Sequence, residues 1–477
     1  MNACHIRRGI RWSLPCAALL LGLLASCGGG GDGSVGSGGT GAPVGLAVGT
    51  VNGFGSVIID GVAYDDTQAP VVAQVAPGQD APSAVQLGDR TSITFSAAGV
   101  ATQIRVDPAL AGNVASVSGS GLVVLGQSVV VNTDAANGPI TQLGGGYTSL
   151  ADVHVGDAVA VHGFLVTQGA GSVLQATRLD KTSAPAWLRV TGTVTAMGTS
   201  TTFSLGAFGV DAGQATVLPA GASIASGRTV VVLAAPGTLS VDGMGNPRVT
   251  AAEVRVVGSA AANADMWLSG RATRVDSRAT TMLLGTQLVR GGAAAISPSP
   301  AALVEGAYVQ VHGMVAADGA IDATTIMVRG PTLADDSELK GDISGFDPVA
   351  HTFVVRGTPV DASTATLQGC PAGGLANGLF VQIQGRQITT GVLATSVECQ
   401  SEPTGATVER EGTATAVDTI ASTFTLVTSH GTSIPVQWSS STFFEGVSPQ
   451  TLSGKAVEVE GTFSGAVLVA RKIAFDD

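Results

Sequence analysis

The sequence predicts an all-β chain that carries about six small β-barrels in tandem, behind a signal peptide and a disordered glycine-rich tether. The composition is one reason, because the 477 residues include 66 glycines and only 12% charged side chains. Such mixtures, when rich in valine and threonine, favour short strands joined by tight turns. The second reason is a short alternating strand, led by glycine, that occurs six times after the N-terminal segment.

Residues 1–26 have the pattern of a secretory signal peptide. Three arginines precede an apolar run from Leu14 to Ala25, and there is no acidic residue before Cys27. A bilayer core of roughly 30 Å needs about twenty apolar residues, so this run is too short to span it as a helix. The pair Arg7 and Arg8 leaves twin-arginine export open, although the surrounding residues favour general secretion.

The four residues from Leu24 to Cys27 resemble a bacterial lipobox, in which a cysteine is lipid-modified and becomes the new N-terminus. The resemblance implies a palmitate-type acyl anchor on Cys27, with a non-lipidated signal peptide as the alternative. Several acyl chains at about 0.8 kcal/mol per methylene hold a protein on a membrane permanently. Glycine rather than aspartate follows Cys27, and by resemblance to enteric sorting rules we expect the cell outer membrane, with the chain facing the periplasm or the surface.

Residues 27–48 are predicted to be the lipidated cysteine and a flexible tether. The stretch GGGGDGSVGSGGTGAPVGLAV from Gly28 has too little apolar surface to order itself. The six units are then predicted to span residues 49–111, 112–191, 192–269, 270–340, 341–411 and 412–477.

Charge excludes nucleic acid as an expected partner. Loss of residues 1–26 removes three arginines, so 20 basic residues would face 35 acidic ones, a net charge of about −15. A single-strand binder also needs aromatic stacking platforms, and aromatic residues make up only 4% of the chain. We expect the membrane, through the lipid, and envelope proteins or glycans as partners.

Two cysteines remain in the mature chain besides Cys27. Cys4 and Cys16 leave with the signal peptide, so Cys370 and Cys399 form one even pair in an exported protein. A disulfide is the favoured interpretation in an oxidising compartment. Two free thiols or two ligands of a metal site stay open, and only His351 is near in sequence.

The repeated strand begins and ends with glycine in most copies and alternates between them. Its copies are GDRTSIT from Gly88, GDAVAVHG from Gly156, GRTVVVLA from Gly227, GAYVQVHG from Gly306, GLFVQIQG from Gly378 and GKAVEVEG from Gly454. A turn and a strand with alanine three residues before an aliphatic residue follow the last five copies. About five strands in some 70 residues favour a small closed barrel, since closure removes sheet edges. An OB-like barrel is the first choice, with an SH3-like barrel or a small sandwich as alternatives.

These residues resemble a known family. The glycine-led opening with GFGSVIIDG from Gly53, the G-x-x-V-x-V-x-G strand and the closing A-x-x-[VI] strand are similar to tandem domain of unknown function 5666 of proteobacterial lipoproteins. The resemblance covers residues 49–477, is strongest at 49–60 and in units four to six, and is weakest in the third unit. It implies an envelope location and an OB-like repeat, and it brings no catalytic residues.

His312, in the stretch YVQVHGMV, is the residue that would make the chain an enzyme. Its column across the six copies holds Thr94, His162, Leu233, His312, Gln384 and Glu460. The period of two places this column on the face opposite the core, so we expect it in solvent. Trp187 and Trp267, each just ahead of a unit boundary, are expected to pack between neighbouring units.

No catalytic or metal motif is found in the sequence, and no cofactor is expected. The function predicted is therefore a non-catalytic binding or scaffolding lipoprotein of the envelope. A hydrolase on envelope polymers and a passive structural spacer are the alternatives.

Overall fold

The structure is a computed structural model that describes residues 45–475, except 67–68, 97–99, 169–170, 258–262, 330–335, 400–406, 429–432, 440–441 and 465–466. The predicted signal peptide, Cys27 and the tether as far as residue 44 lie outside the described residues. The described part has no helix that combines the length and the apolar character needed to cross a membrane.

The first half of the chain forms three groups of strands, here called barrels 1 to 3. Barrel 1 contains β1 Gly45–Phe54, β2 Val57–Ile59, β3 Val62–Tyr64, β4 Val71–Ala76, β5 Gln79–Pro82, β6 Arg90–Phe95 and β7 Ala101–Val106. Barrel 2 contains β8 Leu110–Ser118, β9 Gly121–Val124, β10 Gln127–Val131, β11 Gln142–Gly144, β12 Ala158–Gln168 and β13 Gly171–Lys181. Barrel 3 contains β14 Leu188–Thr193, β15 Ala196–Met197, β16 Thr202–Leu205, β17 Phe208–Asp211, β18 Thr216–Leu218, β19 Thr229–Ala234, β20 Ser240–Val241 and β21 Pro247–Val256.

The second half forms barrels 4 to 6. Barrel 4 contains β22 Asp265–Asp276, β23 Thr281–Leu284, β24 Gln287–Arg290, β25 Ala295–Ser297, β26 Tyr308–Val315 and β27 Ile321–Val328. Barrel 5 contains β28 Asp336–Asp342, β29 Ser344–Asp347, β30 Thr352–Val355, β31 Thr358–Asp361, β32 Thr366–Gln368, β33 Phe380–Ile388 and β34 Gly391–Cys399. Barrel 6 contains β35 Thr407–Asp418, β36 Thr423–Val427, β37 Ser433–Gln437, β38 Phe443–Glu445, β39 Ala456–Ser464 and β40 Val467–Phe475. Described 3₁₀ turns cover Ala135–Asn137, Leu150–Asp152, Pro236–Thr238 and Pro300–Ala302.

The strand order within a unit is that of a closed five-stranded OB barrel, which confirms the predicted fold class. In barrel 2, β8, β9 and β10 pair in sequence, β10 runs parallel to β13, and β12 closes the ring between β13 and β8. Barrels 4 and 6 close in the same 1–2–3–5–4–1 order. Barrel 1 closes through a parallel bridge between Asp65 and Val100.

Backbone conformation explains why glycine occupies both ends of the repeated strand. The leading glycine has φ between +77° and +92° in all six copies, a region that glycine enters without a side-chain penalty. The second glycine sits at a β-bulge against the closing strand, where a Cβ on Gly313 would lie 2.3 Å from the carbonyl oxygen of Asp322. The same bulge in barrels 1 and 3 holds Phe95 and Ala234, which explains why the motif weakens there.

The alternation of the repeated strand places its aliphatic residues in the cores, as predicted. Val159 and Val161 of barrel 2, like Val309 and Val311 of barrel 4, have no exposed surface. The alanine and aliphatic positions of the closing strands are buried as well, from Ala176 and Leu179 in barrel 2 onward. The core of each barrel is therefore built from the two strands that the repeat identifies.

Strand β1 holds barrels 1, 4 and 5 together. Its first four residues pair in parallel with β22 of barrel 4, from Gly45 opposite Asp265 to Val48 opposite Leu268. Its last two residues pair in parallel with β28 of barrel 5. Hydrogen bonds between strands thus join barrels 1, 4 and 5, which are distant in sequence. These barrels are therefore not independent domains in a linear array.

The hydrophobic cores also cross barrel limits. Barrels 1 and 5 share one cluster of buried side chains, against which the half-buried Trp267 of barrel 4 packs, so its predicted packing between units is confirmed. Barrels 2 and 3 share another cluster, and β8 pairs with β14. Barrel 6 has a cluster of its own. Trp187 is half-buried ahead of β14.

The opening strands begin earlier than the predicted unit boundaries. Gly45 to Val48, predicted as tether, form the start of β1, and in the other units the opening strand begins two to five residues before the predicted first residue. The boundary glycine lies inside the strand, because residues ahead of it such as Leu110 and Leu188 already pair with a neighbouring strand.

Replacement of Asn52 by alanine tests the attachment of barrel 5 to barrel 1. The Asn52 side chain is buried, donates to the carbonyl oxygen of Asp336 at 3.0 Å and accepts from the N–H of Gly61 at 3.1 Å. Loss of both bonds should cost about 1–3 kcal/mol of unfolding free energy. Amide hydrogen exchange should become faster in β28, and it should change less in barrel 6.

The matched control is Asn113→Ala. The exposed Asn113 donates to the carbonyl oxygen of Gly156 within barrel 2. We expect exchange in β28 to be unaffected by that variant. Equal effects of the two variants on β28 would contradict the role given to Asn52.

Candidate functional site

Polar side chains from outer strand faces and from turns lie where barrels meet. Many of these side chains are buried at the junctions: Asp60, Asp89, His162, Gln175, Arg189, Glu253, Ser269 and Gln310. A buried polar group costs free energy unless it is hydrogen-bonded or paired. The partners of each group therefore define what each junction does.

Asp60 ties barrel 1 to barrel 4. Its carboxylate accepts hydrogen bonds from the N–H of Thr50 at 3.0 Å and from the Tyr308 hydroxyl at 2.9 Å. The Ser269 hydroxyl donates to the same carboxylate. Tyr308 is fully buried, and burial raises the pKa of its phenol, so it remains a donor at neutral pH. With three donors on it, Asp60 is a structural tie and has little capacity left for a ligand.

Asp89 lies between barrels 1 and 2. Its Oδ1 is 3.6 Å from Nε2 of His162 and 3.8 Å from Nε of Arg178, and its Oδ2 accepts from the N–H of Gln86 at 2.7 Å. Burial raises the pKa of Asp89, while the charges of His162 and Arg178 act in the opposite direction. The Nδ1 atom of His162 is buried and has no hydrogen-bond partner within the described residues.

The hairpin of β4 and β5 docks barrel 1 on barrel 3. Glu253 accepts from Nε2 of Gln74 and from the N–H of Gly78, each at 2.9 Å. Arg189 donates to Oε1 of Gln74 at 3.0 Å and pairs with Asp107 at 3.3 Å. Burial lowers the pKa of the Arg189 guanidinium, and Asp107 partly offsets this. The junction is a polar network whose members come from both barrels, and within the described residues the buried Nε of Arg189 has no hydrogen-bond partner in it.

The prediction that the His162 column faces solvent is wrong for His162, which is only 6% exposed. The strand alternation does place His162 on the outer face of barrel 2, as predicted. Barrel 1, through Asp89, covers that face. Leu233 of the same column is buried too, because every residue of β19 is buried on both faces.

His312 lies on the outer face of barrel 4 with 29% of its side chain exposed. Its ring stacks on Trp267 at 4.3 Å, and its Nε2 is 2.6 Å from Oδ1 of Asp265. Its Nδ1 is 3.3 Å from the Thr324 hydroxyl, which also donates to the carbonyl oxygen of His312 at 3.1 Å. This order of carboxylate, imidazole and hydroxyl occurs in hydrolytic triads. Here the hydroxyl also lies within hydrogen-bonding distance of the His312 carbonyl oxygen and the ring is stacked on Trp267, so the geometry fits an anchored outer-face histidine.

Cys370 and Cys399 form a disulfide that links the segment after β32 to the last residue of β34. This is the favoured of the interpretations that the sequence left open. Within the described ranges, no three His, Cys, Asp or Glu side chains gather closely enough to hold a metal ion. The predicted lipidation site, Cys27, lies outside the described residues.

A polar cavity of about 840 Å³ opens where barrels 1, 4 and 5 meet, with Ala135 of barrel 2 at its edge. Its lining combines two guanidinium groups with carboxylate and amide side chains, namely Asn52, Arg329, Asp336, Glu338, Gln384 and Arg386. Nη2 of Arg329 donates to Oε1 of Gln310 at 3.0 Å, while its buried Nε has no partner within the described part. Cavities of roughly 300–1,000 Å³ are the usual size for small ligands.

A second cavity of about 420 Å³ lies among barrels 1, 2, 3 and 4. Most of its lining is apolar, and Arg90, Arg189 and Asp107 are its charged members. Neither cavity includes His162, His312 or the disulfide. His162, His312 and the disulfide are thus separate from the cavities, whereas Gln384, at the same position of the repeat as His312, lines the larger one.

Sequence reasoning missed both cavities and the polar junctions. The sequence feature that indicates such junctions is a polar residue on an outer strand face with aliphatic neighbours, such as Arg189 in LRV or Glu253 in AAEVRV. A charge in such a place indicates either solvent or a partner surface. Only the packing of distant barrels decides between the two.

The fold and the junctions define a class: a chain of tandem OB barrels that packs into one body with ligand-sized cavities between barrels. The profile of the family described as Domain of unknown function (DUF5666) matches residues 111–180, 270–327, 340–398 and 411–474. The chain therefore belongs to this family. The matched segments fall in barrels 2, 4, 5 and 6, so the resemblance expected at residues 49–60 lies outside them.

Other comparisons add little to the family match. No curated protein matches the sequence. One similar solved structure is titled "Crystal structure of Ag(I)CusF"; the alignment covers 15% of this chain and 99% of that chain, with 12% identity and a TM-score of 0.13.

The pH dependence of stability tests the burial of Asp89. A raised pKa in the folded state means that the folded protein binds the proton more tightly than the unfolded chain does. The contribution of Asp89 to the unfolding free energy therefore falls as the pH rises from the ordinary carboxyl pKa, about 3.9, towards the folded value. Asp89→Asn should remove that loss. The wild type should therefore become less stable relative to the variant as the pH increases through this window, measured by chemical denaturation.

Asp157→Asn is the control, because the pKa of Asp157 is shifted in the opposite direction to that of Asp89. The Lys181 ammonium, the N–H of His154 and the Tyr147 hydroxyl hold the pKa of Asp157 below its usual range. Its contribution to stability is present above the ordinary carboxyl pKa and is lost on acidification. If wild type and Asp89→Asn gave parallel pH curves, the assignment for Asp89 would be wrong.

Proposed function

We propose that this chain is an envelope-anchored lipoprotein whose packed barrels act as a non-catalytic binding module. The lipid on Cys27 would hold it on the outer membrane, and the tether would separate the barrels from the bilayer. Its partners would be envelope proteins or glycans. The description given by the family, a domain of unknown function, is compatible with this role and adds no activity to it.

The observation that carries the proposal is the polar cavity. Side chains from barrels that are distant in sequence line it, and the hydrogen bond from Asn52 to the carbonyl oxygen of Asp336 joins barrels 1 and 5 at its wall. Arginine, carboxylate and amide groups provide both donors and acceptors, which is what hydroxyl-rich or peptide ligands require. A passive spacer has no need of ligand-sized cavities between its units.

A hydrolase would need an acid or a base that a substrate can reach. The His and Asp side chains from adjacent units that meet are His162 and Asp89, with side chains only 8% and 4% exposed. His312 and Asp265 are more accessible, but they lie outside both cavities. The described His–Asp pairs thus place no reachable acid or base in either cavity, which favours binding as the proposed role.

Replacement of Cys27 by alanine tests the anchor. The wild-type chain in intact cells should incorporate labelled palmitate and sediment with the outer membrane. The Cys27→Ala variant should do neither, because the cleaved chain would carry no acyl group. A Cys370→Ala/Cys399→Ala double variant controls for general loss of cysteine and should remain on the membrane. Unchanged membrane association of Cys27→Ala would refute the anchor.

Photo-crosslinking from the polar cavity tests the binding role. The photoreactive residue p-benzoylphenylalanine would replace Ala63 or Thr395, which are exposed and line the cavity. In intact cells we expect both positions to form defined adducts that mass spectrometry identifies. A third variant carries the same residue at Val349, which is 89% exposed and lies outside the cavity.

Adducts from Ala63 and Thr395 that are absent from Val349 would support a binding site. The same adducts from all three positions, or none from any of them, would favour the passive spacer. This outcome does not depend on the anchor, so the two parts of the proposal are tested separately.

A further inference from the structure

The smaller cavity is a junction of four barrels. Leu46 and Val48 come from β1, Phe164 from β12, Val231 from β19 and Leu268 from β22. Its volume of about 420 Å³ is within the range of cavities that hold small molecules. No single barrel contains it, so it exists only in the packed chain.

The charge of its lining is unbalanced. Two guanidinium groups, Arg90 and Arg189, and one carboxylate, Asp107, line it. Asp107 pairs with Arg189 at 3.3 Å and also accepts from the N–H of Gln74 at 2.8 Å. One positive charge therefore remains, in a chain whose net charge is −12.

Arg90 carries that remaining charge. It donates from Nη2 to the carbonyl oxygen of Ser269 at 2.6 Å, and its guanidinium lies over the ring of Phe164 at 5.2 Å. Its Nη1 is buried with no hydrogen-bond partner, and within the described part of the chain no carboxylate is paired with it. Arg90 is half-buried, and a guanidinium that is not paired with a carboxylate is stabilised by an anion brought to it.

The rest of the lining is suited to hydrocarbon. Leu46, Val48, Leu268, Leu284, Val315 and Ile321 contribute aliphatic surface. Apolar walls with one charged group at a defined point bind amphiphiles, because the wall removes the tail from water and the charge orients the head.

We propose that this cavity binds an amphiphile with a single carboxylate, whose head group pairs with Arg90 and whose hydrocarbon tail lies along the aliphatic wall. A carboxylate matches the planar donors of a guanidinium and neutralises the one unbalanced charge. This inference rests on the proposed binding function and names the ligand class for the smaller of the two cavities described above.

Isothermal titration calorimetry of the full chain with dodecanoate, below its critical micelle concentration, tests the inference. We expect one dodecanoate per chain. Arg90→Gln should raise the dissociation constant for dodecanoate about tenfold or more, because it removes a charge-assisted hydrogen-bonded pair. Binding of dodecanol, which has the same tail and no charge, should be unaffected by that variant. Ser92→Phe, which places a larger side chain in the cavity, should weaken both ligands.

The matched control is Arg278→Gln, which removes an exposed arginine of barrel 4 outside the cavity. Equal effects of Arg90→Gln and Arg278→Gln, or no binding of dodecanoate to the wild type, would overturn the inference. Should Arg90→Gln fail to fold, the wild type alone decides: dodecanoate must bind at least about tenfold more tightly than dodecyltrimethylammonium. Adducts from Ala63 and Thr395 without dodecanoate binding would refute this ligand and leave the binding module standing.

Discussion

Strand β1 is shared between barrels, and the arrangement of barrels 1, 4 and 5 depends on it. Its alternation sends Ala47 and Val51 into the core of barrels 1 and 5, while Leu46 and Val48 pack against the core of barrel 4. Its edges pair with β6 in its own barrel and with β22 and β28 outside it. Because a shift of one residue would exchange the two faces, the register of β1 fixes the placement of three barrels at once.

The polar junctions give that packing its orientation. An apolar contact between two barrels tolerates rotation and sliding, whereas the Asp60 carboxylate is satisfied only when Thr50, Ser269 and Tyr308 are all in place. A partly satisfied buried network is worse than an apolar interface, so alternative packings are disfavoured. Barrel 6 has its own core, and a longer ion pair, Arg410 to Asp342 at 3.6 Å, links it to barrel 5.

Much of the fold could be predicted because each barrel repeats the same local solution. The leading glycine, the alternating valines and the closing alanine each reflect a backbone or core requirement that is met within about 70 residues. The residues near a strand in the sequence do not determine which other barrel covers its outer face. His162 and His312 occupy the same position of the repeat, yet one meets Asp89 of another barrel and the other meets Trp267 and Asp265 of its own. Hence the core residues were predictable, and the cavities between barrels were not.

The contacts of Asn52 have a consequence for how the chain is made. Asn52 and Asp336 are 284 positions apart, so barrel 1 is synthesised first and acquires its partners in barrels 4 and 5 much later. Until then the outer edge of β1 and the aliphatic face at Leu46 and Val48 stay uncovered, and exposed strand edges are sites of aggregation. Barrel 1 therefore precedes barrels 4 and 5 in the chain but is completed only when they have folded against it, and β1 stays exposed to aggregation for longer than a strand of an independent barrel would.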